Sequence, residues 1–114
     1  MFDFPAYKRA FEAKDVAAWS AFYTDDAEWV EYRHTAPPGA PAVMRGREEI
    51  VAFMQRLADG GIELTVSDEV VGEERVAFCT WVVLPDGRRS VENVIVHLRD
   101  GRIARHVDVE AWDP

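Results

Sequence analysis

The stretch GRIARHVDVEAWDP, which begins at Gly101, constrains the fold more than any other part of the chain. Apolar and polar residues alternate along it, which predicts a long strand. His106, Asp108 and Glu110 stand at every second position and therefore share one face of that strand. We expect this face to point into the molecule. A carboxylate placed there either has a structural partner or works in a pocket.

Apolar residues at helical spacing predict three helices in the first sixty residues. Asp3 and Pro5 make a helix start, and Asp15 is a candidate N-cap for a second helix. A third helix is predicted from Arg47 to Ala58, where Gly60-Gly61 ends it. The apolar stripes of the three helices are Phe4, Tyr7 and Phe11; Val16, Trp19, Phe22 and Tyr23; and Ile50, Phe53, Met54 and Leu57.

The remaining segments indicate strands. AEWVEYR, residues 27–33, alternates and predicts a short strand, whereas residues 34–46 are rich in proline and glycine and predict a loop. That loop is either a pocket rim or a plain connection. Four antiparallel strands are expected after the third helix, including VAFCTWVVL at residues 76–84, whose nearly continuous apolar run suggests burial on both faces.

This order of elements predicts one α+β domain over residues 1–114, a curved antiparallel sheet packed against three helices. Because helices cannot fill the whole concave side of such a sheet, we expect an internal pocket. A large apolar area on the convex side predicts a homodimer through that face. The residues assigned to the convex face are Phe78, Thr80, Val82, Leu84, Ile95, Val107 and Val109, with His97 on the same side.

The composition of the chain excludes several classes of partner and cofactor. Thirteen Lys and Arg against 21 Asp and Glu give a net charge of -8, which argues against nucleic acid and anionic membranes. Cys79 is the only cysteine, so no internal disulfide is possible. No apolar run approaches a membrane span and no signal peptide is recognisable, so a cytoplasmic protein is expected. The histidines show no metal-ligand spacing and no glycine-rich phosphate loop occurs, so we expect neither metal nor cofactor.

Three stretches resemble the SnoaL-like and ketosteroid isomerase-like branch of the nuclear transport factor 2-like superfamily. They are AYKRAFEAKDVAAWSAFYTDDAEWVE, GREEIVAF and HLRDGRIARHVDVEAWD. The resemblance covers essentially the whole chain and implies a cone-shaped α+β barrel. It does not single out a reaction, because the family includes isomerases, polyketide cyclases, epoxide hydrolases, dehydratases and non-catalytic binding modules.

Individual positions can be compared with the family. The resemblance to ketosteroid isomerases implies an oxyanion donor at Tyr7 and a general base at Glu31, but the acid that completes their oxyanion hole falls on Val96. The resemblance to polyketide cyclases implies an acid/base role for Asp108. Epoxide hydrolases of the family need an Arg and a second Asp where this chain has Cys79 and Trp81, which disfavours that activity.

We therefore predict Asp108, Glu31 and Tyr7 as catalytic residues. Each has a structural alternative: a hydrogen-bond partner for Asp108, an ion pair with an arginine such as Arg33 for Glu31, and a satisfied core hydroxyl for Tyr7. Glu92 either lines the pocket or pairs with Arg88 or Arg89, and we favour the pair. The predicted substrate-binding residues are His106, Trp29, Trp81, Tyr23, Phe53, Met54 and Trp112.

The function expected from these residues is a cofactor-free isomerase, cyclase or lyase that moves a proton on an apolar cyclic or aromatic carbonyl compound. Aromatic walls would desolvate Asp108 and raise its pKa toward neutrality. One alternative is a non-catalytic module that binds a small molecule or partner chain in the same pocket. Another is a dimeric scaffold whose interior is filled by its own tryptophans.

Overall fold

The computed structural model describes residues 2–114 as three helices and a six-stranded sheet. The sheet has the order β2-β1-β6-β5-β4-β3, and the α+β fold class predicted from the sequence is confirmed. The helices are α1 (Phe4–Glu12), α2 (Val16–Ser20) and α3 (Arg47–Asp59). The strands are β1 (Tyr23–Tyr32), β2 (Ala42–Arg45), β3 (Glu63–Val71), β4 (Arg75–Val83), β5 (Arg89–Arg99) and β6 (Arg102–Trp112).

The predicted helix starts are confirmed. The Asp3 carboxylate accepts a hydrogen bond from the Ala6 amide at 3.0 Å, and Asp15 accepts one from Ala18 at 3.2 Å. The second helix is shorter than its apolar stripe, because the chain enters β1 at Tyr23. Tyr23 is therefore presented to the core by a strand.

The sheet contains one strand that the sequence did not predict. Ala42–Arg45 forms β2 and pairs antiparallel with β1, inside the segment that was predicted to be a loop. A strand of four residues gives too short an alternation to stand out among its proline and glycine neighbours. On its other side β1 pairs with β6 in parallel, which brings the two strands that carry the predicted acids side by side.

The predicted orientation of β4 is wrong. Phe78 pairs with Val94 and Val94 pairs with Asp108, so Phe78 lies on the inward face that Asp108 occupies. Thr80 and Val82 follow on that face and are buried, and Leu84 packs against the core. Ile95 and Val109 are exposed on the convex side, as predicted.

Aromatic side chains fill much of the space between the helices and the concave face. Trp19, Tyr7 and Tyr23 are fully buried, and Trp29 stacks on the His106 ring at a centroid distance of 3.6 Å. Such close aromatic packing leaves this half of the interior to the protein's own side chains. Within residues 2–114, no helix is both long enough and apolar enough to cross a membrane.

Candidate functional site

Strand register assembles a group of acids at the other end of the concave face. Glu31 of β1 lies opposite Asp108 of β6, and Glu110 of β6 lies opposite Glu92 of β5. One carboxylate oxygen from each of Glu31, Asp108 and Glu110 lies within 4.8 Å of the other two. We call these three residues the carboxyl cluster. Its side chains are 7%, 1% and 2% exposed, respectively, so the charges are largely removed from water.

Arg33 and Trp112 bind the cluster from its edge. Arg33 Nη1 donates to Glu31 Oε2 at 2.8 Å and lies 3.9 Å from Glu110 Oε1. Trp112 Nε1 donates to the same Glu110 oxygen at 2.8 Å. The contact with Arg33 that was expected as an alternative for Glu31 is therefore present. One arginine cannot balance three ionised carboxylates in a buried site, so protons must neutralise part of the cluster.

The protons are held by Asp108 and Glu31. Burial raises the pKa of Asp108 well above its usual range, and the neighbouring charges and a hydrogen bond with Glu110 raise it further. Burial and a hydrogen bond with Glu110 likewise raise the pKa of Glu31. In the described part of the chain neither Asp108 oxygen has a donor within hydrogen-bond distance, and His106 Nε2 is 3.6 Å from Oδ2, so an ionised Asp108 would be unsatisfied.

Glu110 is the ionised member of the cluster. Burial acts to raise its pKa, but hydrogen bonds from Glu31, Asp108 and Trp112 and the charge of Arg33 outweigh burial and lower it. The three carboxyl groups thus divide into two acids that donate and one carboxylate that accepts. Neighbouring carboxyl groups with pKa values pushed apart are the usual arrangement for acid and base roles in one site.

Glu92 forms a fourth acid beside the cluster. It accepts hydrogen bonds from Thr80 Oγ1 at 2.6 Å and from Ser90 Oγ at 3.4 Å. Burial and the charge of Glu110 raise the pKa of Glu92 to about 7. The pairing of Glu92 with Arg88 or Arg89 is wrong. Those arginines bind Asp86 and Asp113, respectively, because their side chains point outward at the sheet end.

A line of hydrogen bonds runs from the helices to the imidazole of His106, which faces the cluster. Tyr7 and Tyr23 share a hydroxyl–hydroxyl bond of 2.9 Å, and Trp19 Nε1 donates to the Tyr7 oxygen at 3.4 Å. The Tyr23 hydroxyl is 2.9 Å from His106 Nδ1, and His106 Nε2 is 3.6 Å from Asp108 Oδ2. The residues of this hydroxyl chain are Trp19, Tyr7, Tyr23 and His106.

Burial sets the protonation of the hydroxyl chain. It lowers the pKa of His106 to about 3, so the imidazole is neutral, and it raises the pKa of Tyr7 to about 12. Burial also raises the pKa of Tyr23. The Tyr7 hydroxyl is fully buried and already bonded on both sides. It reaches the carboxyl cluster only through Tyr23 and His106.

Space for a ligand lies beside Glu110. A cleft of about 610 Å³ opens at the end of β6, within the range typical of small-molecule sites. Its lining residues are His34, Arg88, Glu110, Ala111, Trp112, Asp113 and Pro114. Trp112 is the predicted binding residue on this wall. Trp29, Tyr23 and Met54 lie in the buried core, and Phe53 packs edge-on against Trp29 at 5.3 Å.

Trp81 lies elsewhere than predicted. It was expected to wall the pocket, but its side chain is 42% exposed on the convex face, where it borders a second cleft of about 320 Å³. The cause is the reversed face of β4, since Thr80 beside it points inward.

The carboxyl cluster is also the set of residues that could hold a metal ion. Three carboxylate oxygens suit a hard cation such as Mg²⁺ or Ca²⁺. Arg33 already binds Glu31, and an ion would have to displace the protons of Glu31 and Asp108.

Comparison with known proteins places the fold. The SnoaL-like domain family matches residues 5–106 of this chain, which includes nearly all of the three helices and most of the sheet. The chain belongs to the SnoaL-like domain family. A search of the curated proteins gives no match.

Several solved structures resemble the chain at low sequence identity. A candidate ketosteroid isomerase from Kribbella flavida DSM 17836 is 21% identical, with a TM-score of 0.78 over 97% of this chain and 78% of that one. An NTF2-like protein of unknown function from Mesorhizobium loti is 18% identical, with a TM-score of 0.80 over 95% and 87%. A computationally designed 17-OHP binder is 18% identical, with a TM-score of 0.70 over 97% and 94%. These similarities confirm the fold.

Proposed function

We propose that this SnoaL-like protein is an acid-base enzyme that moves a proton on an apolar cyclic carbonyl compound, without a cofactor. The observation that supports it is a buried carboxylate, Glu110, at the wall of a cleft and next to two protonated carboxyl groups. An enolisation requires a base at the α-carbon and a donor at the carbonyl oxygen. We expect it to act in the cytoplasm.

The sequence-predicted roles are refined in this proposal. Glu110 takes the proton from the α-carbon, and the electrons of the broken C–H bond form the enol double bond. When the substrate binds, the hydrogen bond of Asp108 moves from Glu110 to the carbonyl oxygen, on which negative charge develops, and Glu31 is the second donor. Return of the proton from Glu110 to another carbon of the enol gives an isomer. Tyr7 is proposed to act at a distance, through the hydroxyl chain.

The aromatic surroundings support an apolar substrate. Trp112 borders the cleft, and its Nε1 is already bonded to Glu110, so it offers the substrate its ring. The ketosteroid isomerase and 17-OHP names among structures of this fold suggest flat, fused-ring carbonyl compounds as the first substrates to test. Two protonated acids would also donate hydrogen bonds that strengthen as negative charge develops on the carbonyl oxygen.

Hydrogen exchange at an activated carbon tests the proposal without the natural substrate. With 2-tetralone in D₂O at pH 7, we expect the protein to accelerate loss of the α-hydrogen signal in proton NMR roughly 10²-fold or more over buffer. A probe that binds in the cleft but does not exchange would favour the alternative, a non-catalytic binding module. If no ketone in a panel of fused-ring ketones either binds or exchanges its α-hydrogen, the proposal is contradicted.

We also propose that two copies of the chain pack through the convex face. Trp81, Ile95 and Val109 are all large, apolar and at least 42% exposed there, on three neighbouring strands. A two-fold axis through such a face buries each apolar residue against the partner's equivalent surface. The net charge of -8 opposes association elsewhere on the surface.

Replacing Ile95 by Glu is expected to convert a dimer to a monomer, because the change places like charges at the centre of the apolar face. Sedimentation velocity at 10 to 100 micromolar protein measures the change. Val70→Glu is the matched control, since Val70 is 70% exposed near the end of β3. A wild-type protein that sediments as a monomer over this range would contradict the dimer.

A further inference from the structure

The direction of the hydroxyl chain follows from which of its atoms can donate. An indole N–H only donates, so the Tyr7 oxygen accepts from Trp19 Nε1. The Tyr7 proton must then find its own acceptor, and the bonded neighbour is the Tyr23 oxygen at 2.9 Å. The Tyr23 hydroxyl in turn donates a hydrogen bond to His106 Nδ1, also at 2.9 Å. Every donor up to the imidazole is satisfied in this direction, and the Nε2 proton that it implies faces Asp108 Oδ2 at 3.6 Å, just beyond hydrogen-bond distance.

The opposite direction leaves an unpaired group. If His106 Nδ1 carried the proton and donated to Tyr23, then Tyr23 would donate to Tyr7. The Tyr7 oxygen would accept from both Tyr23 and Trp19, and its own proton would have no acceptor in a fully buried site. An unpaired buried donor carries the full penalty of desolvation, so the first direction is favoured.

We infer that the hydroxyl chain holds His106 as the neutral tautomer with its proton on Nε2, and that this N–H turns the Asp108 proton toward Glu110. His106 Nε2 lies 3.6 Å from Asp108 Oδ2. With Nδ1 occupied as an acceptor, the Nε2 side has no lone pair to offer the acid. The proton of Asp108 is therefore directed to the carboxyl cluster. Trp19, Tyr7, Tyr23 and His106 are positioning residues in this account.

The opposite tautomer would give a different site. An unprotonated Nε2 facing Asp108 could accept the acid's proton and draw it away from Glu110. Through the tautomer of His106, the two tyrosines thus determine whether Asp108 donates its hydrogen bond to Glu110 or to the imidazole. This role in the reaction depends on the proposed function, whereas the tautomer does not.

Nitrogen NMR measures the tautomer directly. In protein labelled with ¹⁵N-histidine at pH 7, long-range proton–nitrogen correlations are expected to show His106 protonated on Nε2 and unprotonated on Nδ1. In Tyr23→Phe the donor to Nδ1 is lost, and the fraction of His106 with its proton on Nδ1 is expected to rise several-fold. Tyr32→Phe, a change to the other face of β1, should leave the spectrum unchanged.

A wild-type His106 with its proton on Nδ1 would overturn the inference, and so would an unchanged tautomer in folded Tyr23→Phe. If Tyr23→Phe does not fold, the wild-type spectrum still decides. Tyr7→Phe is the second variant, expected to shift the Nδ1 resonance while Nε2 keeps the proton. A protein with the Nε2–H tautomer and no α-hydrogen exchange would refute the proposed function and leave this inference standing. A protein that exchanges α-hydrogens but has the Nδ1–H tautomer would support the proposed function and refute this inference.

Discussion

Replacing Asp108 by Asn is expected to reduce the pH dependence of stability. Between pH 5 and pH 8 the wild type should lose about 2 to 4 kcal/mol more of its free energy of unfolding than Asp108→Asn does. The folded-state pKa of Asp108 is raised, so the native protein keeps this proton in the range where the unfolded chain has released it. Each such proton lowers the free energy of unfolding by about 1.4 kcal/mol for every pH unit above the unfolded pKa, until the folded pKa is reached. Asparagine has no proton to lose. Urea unfolding of both proteins at pH 5, 6.5 and 8 measures the difference.

The titration of His106 cancels in this comparison. His106 adds stability as the pH rises toward 6.5, because its folded-state pKa is lowered, but it does so in both proteins. Asp86→Asn is the control. Hydrogen bonds from Arg88 hold the pKa of Asp86 below its usual range, so it is ionised in both states above pH 5. Equal pH slopes for Asp108→Asn and the wild type would mean that Asp108 is ionised in the native state.

Replacing Glu110 by Gln is expected to lower the rate of α-hydrogen exchange by roughly 10²- to 10⁴-fold, because it removes the proton acceptor. The glutamine amide can still accept from Trp112 and Glu31, so the cleft should keep its shape. Binding of the ketone probe should therefore change little while turnover falls. Proton NMR in D₂O gives the rate, and the shift of the probe signals on titration gives its affinity.

Glu28→Gln is the matched control for this experiment. Glu28 lies on β1, but it pairs with Arg45 outside the cluster, and its loss should leave the exchange rate unchanged. If Glu110→Gln kept the wild-type rate while Asp108→Asn abolished it, Asp108 would be the base, as the polyketide cyclase resemblance implies. That result would contradict the assignment of the proton acceptor to Glu110.

The fold could be predicted where local patterns carry its information. Asp3 and Asp15 mark helix starts through hydrogen bonds to amides three residues further along the chain. The alternation of β6 fixes its inward face. The inward face of β4 could not be found this way, because VAFCTWVVL is apolar at nearly every position. Its face is set by pairing with β5, and a one-residue error reverses every side chain of a strand.

The sequence predicted which acids form the candidate site, but it did not predict the role of each. The period of two placed Asp108 and Glu110 on one face, and the family resemblance pointed to Glu31. The division of labour among them depends on distances across β1 and β6, and on Arg33 and Trp112 at the edge. The pairing of β1 with β6 joins residues almost eighty positions apart, so no local pattern shows that Glu110 is the carboxylate held ionised.

Titration of the side-chain carboxyl carbons tests the central claim most directly. In ¹³C-labelled protein, followed by NMR from pH 4 to 9, Asp108→Asn and Glu31→Gln assign two of the signals by their loss. We expect Asp108 and Glu31 to keep their protons at pH 7, while Glu110 is ionised throughout the range above pH 5. If Asp108 and Glu31 both titrate near pH 4 like exposed carboxyl groups, the division of the cluster into two acids and one base is wrong.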